Sequence, residues 1–354
     1  MTRSRLARVR PHRALARCAA LLRLSVGSRP RSGAAARVCG VVALLLMTTA
    51  PRLAAQAAGA TFLLLPVGSR SVGTGEATVA DTLGVDAAWW NPAALAAMQR
   101  AELTLNGSQS FEGTSAAIGF AKPSRALGTL AFSATILDYG DQGVTDPSTG
   151  GDIGTLSIRS SIAMVSYATT IGDRLRLGLS YKYLRLAFTC TGLCGETPQF
   201  VGSSTALDLG AQYRLPTSTP ITLGAALRQV GPDFQVRDAE QADPLPRTWQ
   251  VGASARIPSE RLRANEVQVD VLADLLGSLA YEGISARVGT TVTYRGRYAL
   301  RGGYTLVEGE RGGPSVGLGA YLSDGIVLDL SRRFDGFSAQ AGQAPTYVSL
   351  RFLF

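Results

Sequence analysis

The sequence predicts an all-β protein, a transmembrane antiparallel up-and-down β-barrel of about fourteen strands, preceded by a compact turn-and-helix element. Three observations carry the prediction. Hydrophobicity from Glu102 onward repeats with period two and almost never with the helical period. The alternating stretches run roughly 9 to 14 residues, enough to cross a bilayer at a tilt, whereas ordinary globular strands have about five or six. The connections between them alternate between short and long.

Taken in chain order, residues 1–57 come first. They hold eleven arginines and no acid, and without them the formal charge of +9 becomes about −2. The basic balance therefore says nothing of nucleic acid, and no nucleic-acid partner is expected. A basic stretch, an apolar run over 41–47, Pro51 and the small-residue site Ala55-Gln56-Ala57 read as a targeting segment cleaved near Ala57. The apolar run is far short of the ~20 residues of a spanning helix. Its basic arm is long for such a segment and reads as a start codon placed too far upstream or, as the alternative, as a disordered arm. Export implies an oxidising compartment, so Cys190 and Cys194 in "FTCTGLCGE" are expected to close a small disulfide loop. Two cysteines are too few ligands for a metal site, and the chain's one histidine, His12, lies in the targeting segment. No metal and no cofactor is expected.

Residues 58–100 lack the alternation and form a separate element. Gly68, Gly73 and Gly75 allow tight turns. Asn91 suits the N-cap of a short helix and Pro92 its first residue, with Ala93 to Met98 good helix formers behind them.

The third element, 101–354, holds the strands. They are expected at 102–112, 114–121, 128–139, 158–170, 174–187, 204–215, 220–230, 247–257, 265–276, 284–294, 296–304, 314–322, 325–334 and 346–354. In one of them Leu175, Leu177, Leu179, Tyr181 and Tyr183 alternate with Arg176, Gly178, Ser180 and Lys182. In another Trp249, Val251, Ala253, Ala255 and Ile257 alternate with Gln250, Gly252, Ser254 and Arg256. A soluble sandwich alternates too, so the connections decide. Those after even-numbered strands are short, such as "KPSRAL", "TIGDR", "YRGR" and "LSDG". Several after odd-numbered strands are long and rich in Gly, Asp and Pro, such as "YGDQGVTDPSTGGDIGTLSI" and "VGPDFQVRDAEQADPLPR". Short turns on one rim and long loops on the other mark an outer-membrane barrel, with the short turns in the periplasm. In the last strand Val348, Leu350, Phe352 and Phe354 share one face. An apolar edge at a soluble terminus would invite aggregation, whereas a sheet that enters lipid must close on itself. This stripe with its terminal aromatic resembles the signal read by the barrel assembly machinery. That machinery and outer-membrane lipid are the expected partners, and the bacterial cell outer membrane the expected location.

"GSRSVGTGEATVA" followed shortly by "AAWWNPAALA" resembles the N-terminal signature of the PorV/PorQ family, within the wider FadL-like superfamily of fourteen-stranded barrels. The motif resemblance covers roughly 60–100. From 101 to 354 it rests on strand count and the aromatic C-terminus. It implies that the N-terminal segment folds inward as a plug, with Gly73, Gly75, Asn91, Pro92 and Ala93 at the matching positions. The chain departs from the pattern at Trp89-Trp90, where a single aromatic is usual, and at Ser71 and Thr74, where smaller residues are common. The tryptophans either pack the Asn-Pro turn inside the barrel or join an aromatic belt at the periplasmic interface; a ring with a polar atom suits both.

No enzyme is expected. Barrel hydrolases and acyltransferases generally use a base titrating near neutral pH, and beyond the targeting segment there is no histidine and only Lys122 and Lys182 as lysines. Asp270 and Asp274 share a strand face, but charge facing a polar lumen explains them. "GTGEAT" lacks the third glycine of a dinucleotide fingerprint. The resemblance implies a PorV/PorQ-like role in secretion or as a binding component, with secretion-system subunits as partners. The alternative is a FadL-like passive transporter of a hydrophobic small molecule, and a third reading is a general diffusion porin. Interior faces rich in Gly, Ser, Ala and Thr fit a narrow or plugged barrel better than an open pore.

Overall fold

The computed structural model describes residues 60–354 apart from 111, 147, 194–199, 236–241, 280–282, 308–311, 336–341 and 343. The targeting segment 1–57, Cys194, and the central parts of several long connections lie outside the described residues. Fourteen strands form one closed antiparallel barrel in which every strand pairs with its neighbours in sequence and the last pairs with the first. They are β1 (Glu102–Ser110), β2 (Gly113–Ser124), β3 (Gly128–Thr145), β4 (Asp152–Ile171), β5 (Leu175–Gly192), β6 (Phe200–Arg214) and β7 (Ile221–Val230). The second half is β8 (Thr248–Arg256), β9 (Val267–Ser278), β10 (Ile284–Tyr294), β11 (Tyr298–Val307), β12 (Gly313–Ser323), β13 (Ile326–Arg333) and β14 (Thr346–Leu353).

The two faces of each strand are inverted relative to a soluble protein. Along β5, Leu177, Leu179, Tyr181 and Tyr183 are exposed, Tyr181 at 50%, while Ser180 and Lys182 between them are 0% and 2% exposed. The same holds on β13 and β14, where Leu330 and Val348 face out and Asp329, Ser349 and Arg351 are buried. A soluble sandwich would bury the apolar set. Here the apolar set forms the outer wall, which is stable only where lipid covers it, and closure leaves no strand edge unpaired. Val348 and Leu350 lie on that outer face, and Phe354 beyond them is 71% exposed.

The connections after even-numbered strands, mostly short turns, lie on one rim. That between β8 and β9 contains the single turn α3 (Glu260–Ala264), whose label follows two short helices of the N-terminal segment, α1 (Ser69–Gly73) and α2 (Ala87–Trp90). Ser259 caps α3 by accepting from the Leu262 amide.

On the long-loop rim the structure corrects the expected boundaries. The stretch read as a loop after 139 is mostly strand: β3 and β4 stay paired out to Thr145 and Asp152, past a register shift between Asp138 and Asp141. The signal that ended the expected strand was its turn to polar residues. Above the apolar wall both faces meet water, so polarity there marks the end of the lipid and not of the ladder. β5 and β6 are also longer than expected, pairing up to Phe188 and Phe200, whose rings lie 4.2 Å apart. Cys190, near the end of β5, is disulfide-bonded.

An arginine on the outer face should cost most at mid-barrel. Val288→Arg on β10 is expected to destabilise the barrel by about 2–4 kcal/mol in equilibrium unfolding from lipid, and Tyr298→Arg at the rim of β11 by about 0–1 kcal/mol; equal costs would contradict a lipid-facing wall.

Candidate functional site

The segment 60–98 lies inside the ring. Besides α1 and α2 it contains three 3-10 turns, Thr61–Leu64, Gly84–Asp86 and Pro92–Ala97. Pro92 opens the last of these and Asn91 caps it, its Oδ1 accepting from the Ala93 amide at 3.1 Å. The stretch is 3-10 and stops at Ala97, one residue before the expected end. Nδ2 of the same asparagine donates to Val79 O at 2.6 Å within the plug and to Ala211 O at 3.2 Å on β6. One side chain thus starts a turn, ties two parts of the plug together and fastens them to the wall.

The wall accommodates this contact by lacking side chains where the plug backbone touches it. A Cβ at Gly210 of β6 would overlap Asn91 Oδ1, and one at Gly303 of β11 would overlap the amide of Gly75. Gly178, Gly224 and Gly289 meet plug backbone in the same way. Gly75 itself has φ +65, a conformation that glycine adopts freely, and sits against Tyr304, Val288 and Gly303. Gly73 closes α1 with its Cα beside that of Gly317 on β12.

Polar groups of plug and wall satisfy one another. Asp274 of β9 accepts from the Thr78 and Val79 amides at 2.6 and 2.9 Å and from Gln250 at 2.7 Å. Asp270, the other carboxylate on that face, pairs with Arg256 at 2.9 Å and lies nearer the rim. The two thus serve separate structural contacts. Ser315 Oγ of β12 accepts from the Gly75 amide at 3.0 Å, and Gln212 of β6 donates to Val79 O and Asp81 O.

Trp89 and Trp90 are buried at 8% and 4% exposure, beneath cations that point inward from the wall. Lys182 Nζ lies 5.9 Å from the Trp89 ring centre, and Arg228 Cζ 5.5 Å from that of Trp90. Lys182 is also paired with Asp208 at 2.6 Å, both buried. Trp90 Nε1 donates to Val67 O at 3.0 Å, which holds the incoming chain over the ring.

Two plug carboxylates are buried in opposite electrostatic settings. Glu76 is gripped by Arg333 at 2.7 Å and Arg287 at 3.0 Å. Burial works against its charge, but these arginines, with Arg228 behind them, hold the carboxyl below the usual carboxylate range. Asp86 has no such partner. Burial, with Glu102 nearby, pushes its carboxyl up to about 7 despite a 2.9 Å hydrogen bond from Asn106.

The plug fills the short-turn half of the lumen and floors a cavity of about 550 Å³ that faces the long-loop rim. One side is apolar, with Phe62, Leu63, Leu65, Leu137 and Ile162; Glu76, Trp89, Trp90, Arg287 and Arg333 lie at its base. The long connection after β7 folds into this region: Phe234 packs edge-on against Phe62 at 6.0 Å, and Leu245 is fully buried. Sequence reading missed Glu76, Arg228, Arg287, Arg333, Phe62 and Phe234. The available signal was a set of inward-parity arginines in strands otherwise filled by small residues.

No family model matches the chain, and no curated protein matches it. Solved barrels do. The Ralstonia pickettii toluene transporter TbuX aligns with 81% of this chain and 98% of its own at 15% identity and a TM-score of 0.52. The CymD monoaromatic hydrocarbon channel covers 82% and 98% at 13% identity, TM-score 0.55. A Pseudomonas aeruginosa FadL homologue covers 82% and 98% at 13% identity, TM-score 0.50. These likenesses show that the chain shares the fold of these barrels.

Two outcomes follow for the plug. Gly210→Leu is expected to unseat it while the barrel stays closed, seen as protease cleavage within 60–98 with unchanged β-sheet circular dichroism; an uncleaved variant would contradict the packing described. Because the native pKa of Asp86 lies above its ordinary value of 3.8, the seated plug binds the extra proton, and its stability falls as pH rises from there to about 7. Glu76, shifted down from 4.5, acts only below that value, outside the range from pH 5 to pH 8. The urea concentration that releases the plug should be lower at pH 8 than at pH 5, and Asp86→Asn should shrink the difference.

Proposed function

We propose that this protein is a non-enzymatic barrel of the bacterial outer membrane that passes a small hydrophobic compound through a plugged lumen. The observation that carries the reading is the cavity of about 550 Å³ on the plug, within the size range of small-molecule sites, with an apolar side of Phe62, Leu63, Leu65, Leu137 and Ile162 set against a charged base. The likeness to a toluene transporter and a monoaromatic hydrocarbon channel supports it. A compound enters from the long-loop rim, rests against Phe62, Leu137 and Ile162, and leaves past a displaced plug or sideways through the wall. In this reading Trp89 and Trp90 anchor the plug, and Gly73, Gly75, Asn91, Pro92 and Ala93 seat it. The apolar stripe of Val348, Leu350, Phe352 and Phe354 serves the assembly machinery, and Cys190 bonds Cys194 to tie off a long loop. The seated plug argues against a general diffusion porin.

The motif resemblance of residues 60–100 to PorV/PorQ proteins favours a second reading, a binding component of a secretion apparatus whose long loops hold a protein partner. The solved structures support transport better, because those with hydrocarbon-transport names share the whole barrel.

The chain has three tryptophans, so Trp249→Phe leaves Trp89 and Trp90 as the reporters of the cavity floor. Titrating that variant with toluene is expected to change their fluorescence saturably, and vesicles containing the barrel to take toluene up faster than empty ones. No saturable change, with an exported protein copurifying from native membranes, would reverse the order of the two readings.

A further inference from the structure

The short-turn rim carries a charge pattern that neither the plug nor the cavity uses. Arg100 before β1, Lys122 and Arg125 around the β2–β3 turn, Arg174 in the β4–β5 turn, and Arg261 and Arg263 on α3 are all exposed. Among the described residues none of the six forms a salt bridge, whereas Arg256, Arg295 and Arg297 on the same rim are matched by Asp270, Glu266 and Asp324. The six are spread over four separate connections, so they form a ring and not one pocket. The exposed acids Asp173 and Glu260 on this rim, likewise outside any salt bridge, offset part of this charge and leave a smaller surplus of positive charge.

A second, independent feature lies beside them. Leu127 is 75% exposed two residues after Arg125, and Ile171 is 53% exposed three residues before Arg174. Just above, on the outer face, stand Tyr167, Tyr213, Tyr294 and Tyr298. Tyr167 OH donates to Leu127 O at 2.7 Å, which holds that leucine beside the aromatic girdle. A soluble acidic partner would call for the cations but not for bare leucine and isoleucine among them. Aromatic rings, then apolar tips, then free cations is the order in which an acyl boundary gives way to anionic headgroups. The opposite rim differs: its long β3–β4 hairpin ends in exposed Asp141 and Asp152.

From this ordering we propose that the short-turn rim is a binding ring for anionic phospholipid headgroups of the leaflet it faces, with Lys122, Arg125, Arg174, Arg261 and Arg263 as phosphate-contacting side chains. Lys122 continues the outward face of β2 one step past Phe120, opposite Leu130, so its aliphatic stem lies along the wall with its ammonium at headgroup level. The ring fixes the barrel's depth and tilt. Salt weakens the contact, because these charges are exposed.

The inference rests on the membrane reading above, and the test separates the two. The full barrel in neutral detergent is titrated with phosphatidylglycerol or phosphatidylcholine and the bound lipids are counted by native mass spectrometry, at low and high salt. Phosphatidylglycerol is expected to be retained preferentially, less so at high salt. The variant Lys122→Gln, Arg125→Gln, Arg174→Gln, Arg261→Gln, Arg263→Gln, checked for intact β-sheet circular dichroism, should lose at least about tenfold of that preference. Equal retention of both lipids, a preference unchanged in the variant, or displacement by equimolar inorganic phosphate would overturn the proposal while leaving the membrane reading intact. Failure of the native barrel to insert into phosphatidylcholine bilayers would overturn that reading itself.

Discussion

Lipid offers no hydrogen bonds, and the rest of this structure follows from that. A chain that presents leucine, valine and tyrosine outward on every strand must turn its serines, arginines and aspartates inward. A lumen lined that way contains donors and charges that need partners. Ordinary porins leave them to water. Here the N-terminal segment meets many of them directly: Asp274 takes two plug amides, Ser315 another, and Arg287 and Arg333 close on Glu76. Inner-face glycines let two backbones approach closely enough for those contacts to form. The plug and the wall are therefore complementary, and neither is complete in polar terms without the other.

The closing seam shows the same dependence. β1 and β14 meet in register from Glu102 and Leu353 to Gln109 and Thr346. Inside that seam the Ser69 amide of the plug donates to Ser349 Oγ of β14, Ser349 donates to Asn106 of β1, and Asn106 donates to Asp86 of the plug. The relay crosses the seam and returns to the plug. Nearby, Arg301 and Arg351 share Asp329 across three strands, with all three side chains buried. Such buried pairs contribute little net stability when compared with an apolar filling, but removing one partner leaves an unpaired charge in a dry place. They fix which side chain sits where, and so which plug position the lumen accepts.

Much of the barrel was legible in the sequence because its information is local. Leu175 to Tyr183 and Trp249 to Ile257 state both the strand and its two faces through parity alone. Parity does not say which face meets lipid; strand length and the alternation of turns supplied that. What the sequence hid is of two kinds. The upper β3–β4 hairpin, from Asp141 to Ser157, loses the apolar signal once it leaves the membrane, although its ladder continues. The floor of the cavity depends on partners far apart in the chain. Glu76 is 211 residues from Arg287 and 257 from Arg333, and Phe62 meets Phe234 from a connection that reads as a polar loop. Asn91 is an intermediate case. Its cap was readable from Asn-Pro, but its grip on Ala211 was not.

The central claim is that the seated plug closes the lumen to water-filled conduction while leaving a cavity above it. Ion conductance of the full chain in planar bilayers tests this most directly. The account predicts insertion without a steady open-channel current, and a large stable current once residues 61–98 are deleted. A full-length barrel that conducts steadily, at a level the deletion does not raise, would mean that the segment does not plug the lumen in a membrane.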